Sequence, residues 1–284
     1  MSILLMAPAL LLLLAVFLWP IVHYAWLSLQ AQSVFTVLKP VPVGLANWER
    51  LLDDGRFWQD AVQTLRFALV SVGLELLLGL AIALLLHQSW RGRGLVRSLT
   101  LLPWALPTTV MALGWRWILN DPNGPINGFL ELLGLPSLPF LGSPQLAWLA
   151  VVLADTWKTT PFVALLLLAG MQMIPTDLYE AFALEGGRPM QGLLRITLPL
   201  LRPYIFIALV FRLAQALGVF DLVTVLTGGG PASSTESLAL YAYLNAMRFL
   251  DFGYSATLML GTFTLLLAAA LALLLAQRWR RASA

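Results

Sequence analysis

Six stretches of this chain are apolar for long enough to cross a membrane, which leaves few folds open to it. They fall near residues 3–28, 62–86, 98–119, 146–172, 203–226 and 255–277. A spanning helix needs roughly 20 apolar residues. Backbone polar groups in lipid must be satisfied within the segment itself, so each run is expected to be helical. Only 11% of the 284 residues are charged, while 60% are hydrophobic. That charged share is about half of what a water-soluble domain carries. The expected fold is therefore an all-α membrane protein with six transmembrane helices.

Loop charges orient the bundle. Arg91, Arg93 and Arg97 follow the second run, Arg188, Arg195 and Arg202 follow the fourth, and Arg278, Arg280 and Arg281 follow the sixth. The other loops hold only Lys39, Arg50, Arg56 and Arg248. Basic residues accumulate on the cytoplasmic side, so both termini are expected to be cytoplasmic. The first run has no basic residue ahead of it and continues through Trp19, Pro20 and Trp26, so it is expected as a retained span rather than a signal peptide. The connecting segments are too short to bury cores of their own. The expected organisation is a first transmembrane helix with an extracytoplasmic loop over 1–60, a five-helix core over 61–277, and a basic cytoplasmic tail over 278–284. Within the core, a cytoplasmic loop covers 175–202.

Several chemistries are excluded. There are no cysteines, hence no disulfides and no thiolate metal sites. His23 and His87 lie far apart in sequence, so a histidine metal site is not expected. Lys39 and Lys158 are the only lysines, and neither follows a glycine-rich run, so there is no phosphate-cradling loop. No set of nucleophile, histidine and acid suggests an enzyme, and the basic excess marks membrane topology rather than nucleic-acid binding.

The cytoplasmic loop carries the strongest signal. Pro175 closes the fourth run, Asp177 reads as an N-cap with Glu180 near capping-box spacing, and Gly186 with Gly187 reads as a C-terminal stop. A second short piece begins at Pro189. The helix between these signals has about two turns, too few to stand alone in water. Leu178, Tyr179, Ala181, Phe182, Ala183 and Leu184 surround most of it. Such a helix either packs under its own bundle or docks into a groove on a cytoplasmic partner; the pattern leaves both open.

The run from Glu180 to Gly187, with Ile196-Thr197-Leu198-Pro199 at a fixed distance, resembles the "EAA" loop of bacterial ABC importer permeases. That pattern is Glu-Ala-Ala, two residues, Asp-Gly-Ala, a spacer, then Ile-Thr-Leu-Pro. This chain departs from it with Phe182 and Gly187 in place of alanines and Glu185 in place of aspartate. Asp155-Thr156-Trp157-Lys158-Thr159-Thr160-Pro161-Phe162, Thr227-Gly228-Gly229-Gly230-Pro231 and Phe249-Leu250-Asp251-Phe252-Gly253-Tyr254 resemble the maltose/trehalose branch of the family.

The resemblance implies a type I importer permease fold in a bacterial inner membrane. It also implies a second permease subunit, two ATPase subunits that hold the ATP and magnesium, an extracytoplasmic binding protein, and a sugar as cargo. No cofactor is expected on this chain. Leu178, Tyr179, Glu180, Ala181, Phe182, Glu185 and Gly186 would couple to the ATPases. Asp155, Trp157, Lys158, Thr159, Phe162 and Gln215 would line the solute path. The loop Gly228, Gly229, Gly230 and Pro231 would approach the binding protein, although a flexible turn is the plainer reading.

Charges within apolar runs each call for a partner. Asp155 and Lys158, three residues apart, are expected to pair. Arg66 and Arg116 are expected to snorkel. Gln215 stands mid-run with no obvious local partner. The alternatives are a glycerol-phosphate or other polar solute as cargo, or a proton-coupled secondary transporter using Glu75, Asp155 and Asp221.

Overall fold

The computed structural model describes residue 8 and residues 11–34 and 37–282. Among the described residues the secondary structure is helical apart from one hairpin, and the chain divides into two compact units. One comprises residues up to Thr64 together with those from Glu236 onward; the other runs from Leu65 to Thr235.

In the first unit, helix α1 (Leu11–Ser28) covers residues 11–28 of the expected first span. Residues 3–7 and 9–10 of that span lie outside the described residues. Strands β1 (Gln30–Ser33) and β2 (Val37–Pro42) pair antiparallel, with Gln30 opposite Pro42 and a bulge between Ala31 and Ser33. Helix α2 (Ala46–Asp53) follows. The side chain of Asn47 fastens the hairpin to it, donating to the carbonyls of Ser28 and Gln30 at 2.9 Å each. Helix α3 (Gly55–His87) gives its first turns to this unit and the rest to the second. The unit closes with α12 (Leu238–Met247) and α13 (Phe252–Ala282). Leu51, Phe57, Leu238, Tyr254 and Leu258 form its apolar core. Around that core, Arg50 pairs with Asp251 and Arg56 with Glu236, each at 2.8 Å. Burial pushes the Asp54 carboxyl up, but the Tyr254 and Tyr241 hydroxyls and the Phe57 and Arg56 amides outweigh it and leave the group below its ordinary range.

The second unit holds the rest of α3, α4 (Arg93–Thr100), α5 (Leu102–Ala105), α6 (Thr108–Ile118), α7 (Pro125–Leu132), α8 (Pro144–Gln172), α9 (Asp177–Leu184), α10 (Pro189–Leu217) and α11 (Asp221–Leu226). Its core gathers Ala83, Leu86, Val163, Leu167, Met171 and Leu201. Small residues allow close approach, as is usual between membrane helices. Gly79 lies against Val163, and Gly170 lies against the ring of Tyr204.

Helices α1, α3, α8 and α10 are long and apolar enough to cross a membrane. Two expected spans take a different form. The third run is not one helix: the chain breaks at Leu106 and Pro107, between α5 and α6. Proline disfavours helix at the residue before it, and Leu106 is extended there. The fifth run is displaced toward the N-terminus. Its helix starts at Pro189 and stops at Gly218, and α11 is a separate piece. A π-turn over Leu193–Thr197 precedes Pro199, and a bulge of this kind accommodates the amide that proline lacks.

Candidate functional site

The loop between the fourth and fifth apolar runs forms the expected two-turn helix α9. The expected cap does not form. Asp177 is the first helical residue, Thr176 stands at the N-cap, and no side chain caps the end. The C-terminal stop does form. The Gly187 amide donates to Phe182 O at 2.9 Å and the Gly186 amide to Ala183 O at 3.0 Å, with Gly186 at φ +82°. This double closure is a Schellman turn, which favours glycine at its left-handed position.

The two open readings of α9 divide by face. Tyr179 and Phe182 turn inward. The Tyr179 hydroxyl lies 2.9 Å from Thr197 Oγ1, and Tyr179 packs on the core beneath. Phe182 lies over Gly187 and Gly192. Leu178, Glu180, Ala181, Ala183, Leu184, Glu185 and Gly186 are exposed, with Leu184 90% exposed. Two exposed leucines, Leu178 and Leu184, on so short a helix leave an unfinished packing surface. In the sequence, Thr197 stands only as part of the spaced Ile196-Thr197-Leu198-Pro199 motif. Its buried hydroxyl explains the spacing, because it meets Tyr179 from the first turns of α10.

A second constellation lies within α3, α8 and α10. Arg212 Nε donates to Glu75 at 2.6 Å, and Nη2 donates to Glu75 at 2.8 Å and to Asp155 at 3.1 Å. Its Nη1 donates to Gln215 Oε1 at 2.5 Å. Glu75, Asp155 and Arg212 are all buried. Asp155 therefore pairs with Arg212 on another helix rather than with Lys158, because a forked guanidinium can satisfy two carboxylates at once. Lys158 instead donates to Leu106 O at 2.5 Å, the carbonyl left at the break before Pro107. Gln215 has the partner that sequence reading missed. A guanidinium offers only donors, so the amide oxygen must face Arg212. Of the three carboxylates put forward for proton coupling, Glu75, Asp155 and Asp221, the first two are engaged by Arg212.

The remaining path candidates separate by accessibility. Thr159 is buried, and its hydroxyl donates back to Asp155 O at 2.6 Å. Trp157 is exposed and meets Trp115 edge-on at 5.9 Å. Phe162 is half-buried between Trp104 at 5.8 Å and Phe211 at 5.0 Å. Gln215 is exposed. Arg66 does not simply snorkel: its guanidinium lies 4.2 Å from the centre of the Trp148 ring. Arg116 reaches Val225 O at 3.4 Å.

The glycine loop is braced rather than loose. Gly228 and Gly229 take positive φ, and the Gly230–Pro231 bond is cis. Thr227 Oγ1 and Thr235 Oγ1 lie 2.7 Å apart, and Thr235 Oγ1 donates to Gly230 O at 3.0 Å.

Residues 75–281 match the family described as binding-protein-dependent transport system inner membrane component. The trehalose/maltose transport system permease protein MalF of Thermococcus litoralis is 42% identical over 278 residues, covering 98% of this chain and 94% of that one. The sulfoquinovosyl glycerol transport system permease protein SmoG of Agrobacterium fabrum is 37% identical, covering 93% and 86%. The trehalose transport system permease protein SugA of Mycobacterium tuberculosis is 36% identical, covering 89% and 80%. In fold, the chain is similar to a bacterial ABC transporter involved in import of the acidic polysaccharide alginate. The TM-score is 0.82 at 21% identity, covering 95% of this chain and 92% of that one. The same fold is found in an alginate transporter solved in complex with a pentasaccharide-bound periplasmic protein, with a TM-score of 0.81. With nearly its whole length aligned to such relatives, this chain belongs to the family of binding-protein-dependent transport system inner membrane components, the permease subunits of ABC importers.

Proposed function

We propose that this chain forms half of the pathway by which an ATP-driven importer carries a sugar, a di- or oligosaccharide, across a bacterial inner membrane. The observation that carries the reading is helix α9, anchored by Tyr179 and Phe182 on one face and left apolar and open on the other. A groove on an ATPase subunit would complete it. Two ATPases hold ATP and magnesium, a second permease supplies the other half, and an extracytoplasmic protein delivers the solute. This chain binds no cofactor. The relatives named for trehalose, maltose and sulfoquinovosyl glycerol support a sugar as cargo.

In this reading six segments cross the membrane with both termini inside: α1, α3, the broken stretch α4–α6, α8, α10 and α13. Residues 1–60 hold the first span and its outer loop, 61–277 the core, and 278–284 a basic tail. Trp157, Lys158, Phe162 and Gln215 meet the solute, because a sugar offers apolar ring faces and a rim of hydroxyls. Asp155 and Thr159 support them from behind. The braced Gly228–Pro231 loop faces the binding protein.

The test is reconstitution with the ATPases, the second permease and the binding protein in liposomes. Uptake of labelled trehalose or maltose should require ATP. Uptake driven by a proton gradient without ATP would overturn the reading. Single cysteines report topology separately. One at exposed Ser137 should react with an impermeant reagent on intact cells, and one at exposed Ser89 should not. The reverse pattern would invert the bundle.

A further inference from the structure

Two adjacent glycines end α9 for different reasons. Gly186 has open space around it and a φ of +82°, so its need is conformational. Gly187 is not among the residues with positive φ. A Cβ on Gly187 would overlap the edge of the Phe182 ring, 2.6 Å from Cζ and closer to two other ring carbons. Its need is for space, and that space belongs to one side chain. The same ring reaches Gly192, at 3.8 Å from the position a Cβ would take there. Phe182 thus fills the angle between α9 and the start of α10.

We propose that Phe182 and Gly187 are a matched pair, and that Phe182 is the positioning residue through which α9 moves as one body with α10. This rests on the reading of α9 as the ATPase-docking helix. The four residues from Glu185 to Arg188 join the two helices. Across that short link the side chains of Phe182 and Tyr179 connect the helices, the first through its ring and the second through its packing on the core and its hydrogen bond to Thr197. Tyr179 and Phe182 are three apart and share the inner face. A load on the outer face reaches α10 through both. Of the three departures from the family loop pattern, Phe182 and Gly187 are then one departure: the larger side chain occupies the volume that the missing methyl vacates. Without the ring, α9 would be held by Tyr179 alone, through its hydrogen bond to Thr197 and its packing on the core. With alanine at position 187 the ring is expelled and the result is the same. With both changes, the new methyl at position 187 refills part of the space.

The test uses the assembled complex with its ATPases. Phe182→Ala and Gly187→Ala should each keep the ATPases bound, because the outer face is untouched, yet lower the solute carried per ATP hydrolysed by about tenfold. The double variant should recover to within roughly threefold of the parent, the non-additivity expected of groups in contact. Thermal stability measured alongside separates coupling from simple loosening. Normal coupling in either single variant, or a double variant no better than the worse single one, overturns the pair. Leu184→Glu on the outer face is the control. Unchanged ATPase retention and uptake there would sink the docking reading instead. Failed rescue alongside an impaired Leu184→Glu would sink only the pair.

Discussion

Helices α1 and α8 are both apolar and long enough to cross a membrane, yet only 6% of the α1 window is buried inside the protein, against 67% of the α8 window. The difference follows their polar residues. From Leu11 to Ser28 there is no charged side chain, and the Ser28 hydroxyl bonds back to Ala25 O at 2.8 Å. Helix α8 carries Asp155, Thr156, Thr159 and Thr160, all buried, together with Lys158. Lipid can solvate the first set of side chains but not the second. Of these two helices, the one that carries buried polar side chains is the one surrounded by protein.

The sharpest way to break this comparison is to remove the cation that α8 depends on. Arg212→Met leaves Glu75 and Asp155 facing each other while buried. It should cost about 3–5 kcal/mol, read as lost thermal stability of the purified complex. Stability close to that of the parent would mean that the cluster does not hold α8 in place. Next comes Gly170→Ala, whose new Cβ would fall 2.5 Å from Tyr204 Cγ. Overpacking of that kind should cost about 1–3 kcal/mol in the same assay. Gln215→Leu should act on transport instead, raising the KM for uptake by roughly tenfold, the worth of one hydrogen bond, with stability little changed. An unaltered KM would remove Gln215 from the solute path. The smallest effect belongs to α1. Leu18→Ala, at an exposed position, should fall within about 0.5 kcal/mol. A large loss there would show that α1 is covered by a partner rather than by lipid.

How much of this could be read beforehand varied with the range of the interaction involved. The long helices were legible because hydropathy is local, and so was the Gly186 stop, which depends on one residue's φ. The break at Pro107 was missed, although the proline was visible, because the flanking apolar runs read as continuous. The hairpin at Gln30–Pro42 gave little signal, since its register relies on Asn47 seventeen residues past Gln30. The partners of Asp155 and Gln215 could not be chosen from spacing. Lys158 was the nearest cation along the chain, and the one that won, Arg212, lies 57 residues away. Thr197 was in plain view within a motif, but its role needed the fold to bring Tyr179 to it.

The contact between Phe182 and Gly187 also has a consequence for how this loop changes over evolutionary time. Position 186 is limited by backbone geometry alone, so it should vary independently of its neighbours and admit at most residues that tolerate a left-handed turn. Position 187 is limited by volume shared with position 182. Drift at these two sites should therefore be correlated: lineages with a small residue at position 182 are free to carry alanine at position 187, and those with an aromatic at position 182 are held to glycine. An alignment of close relatives in which aromatic residues at the first position regularly accompany alanine at the second would contradict that expectation.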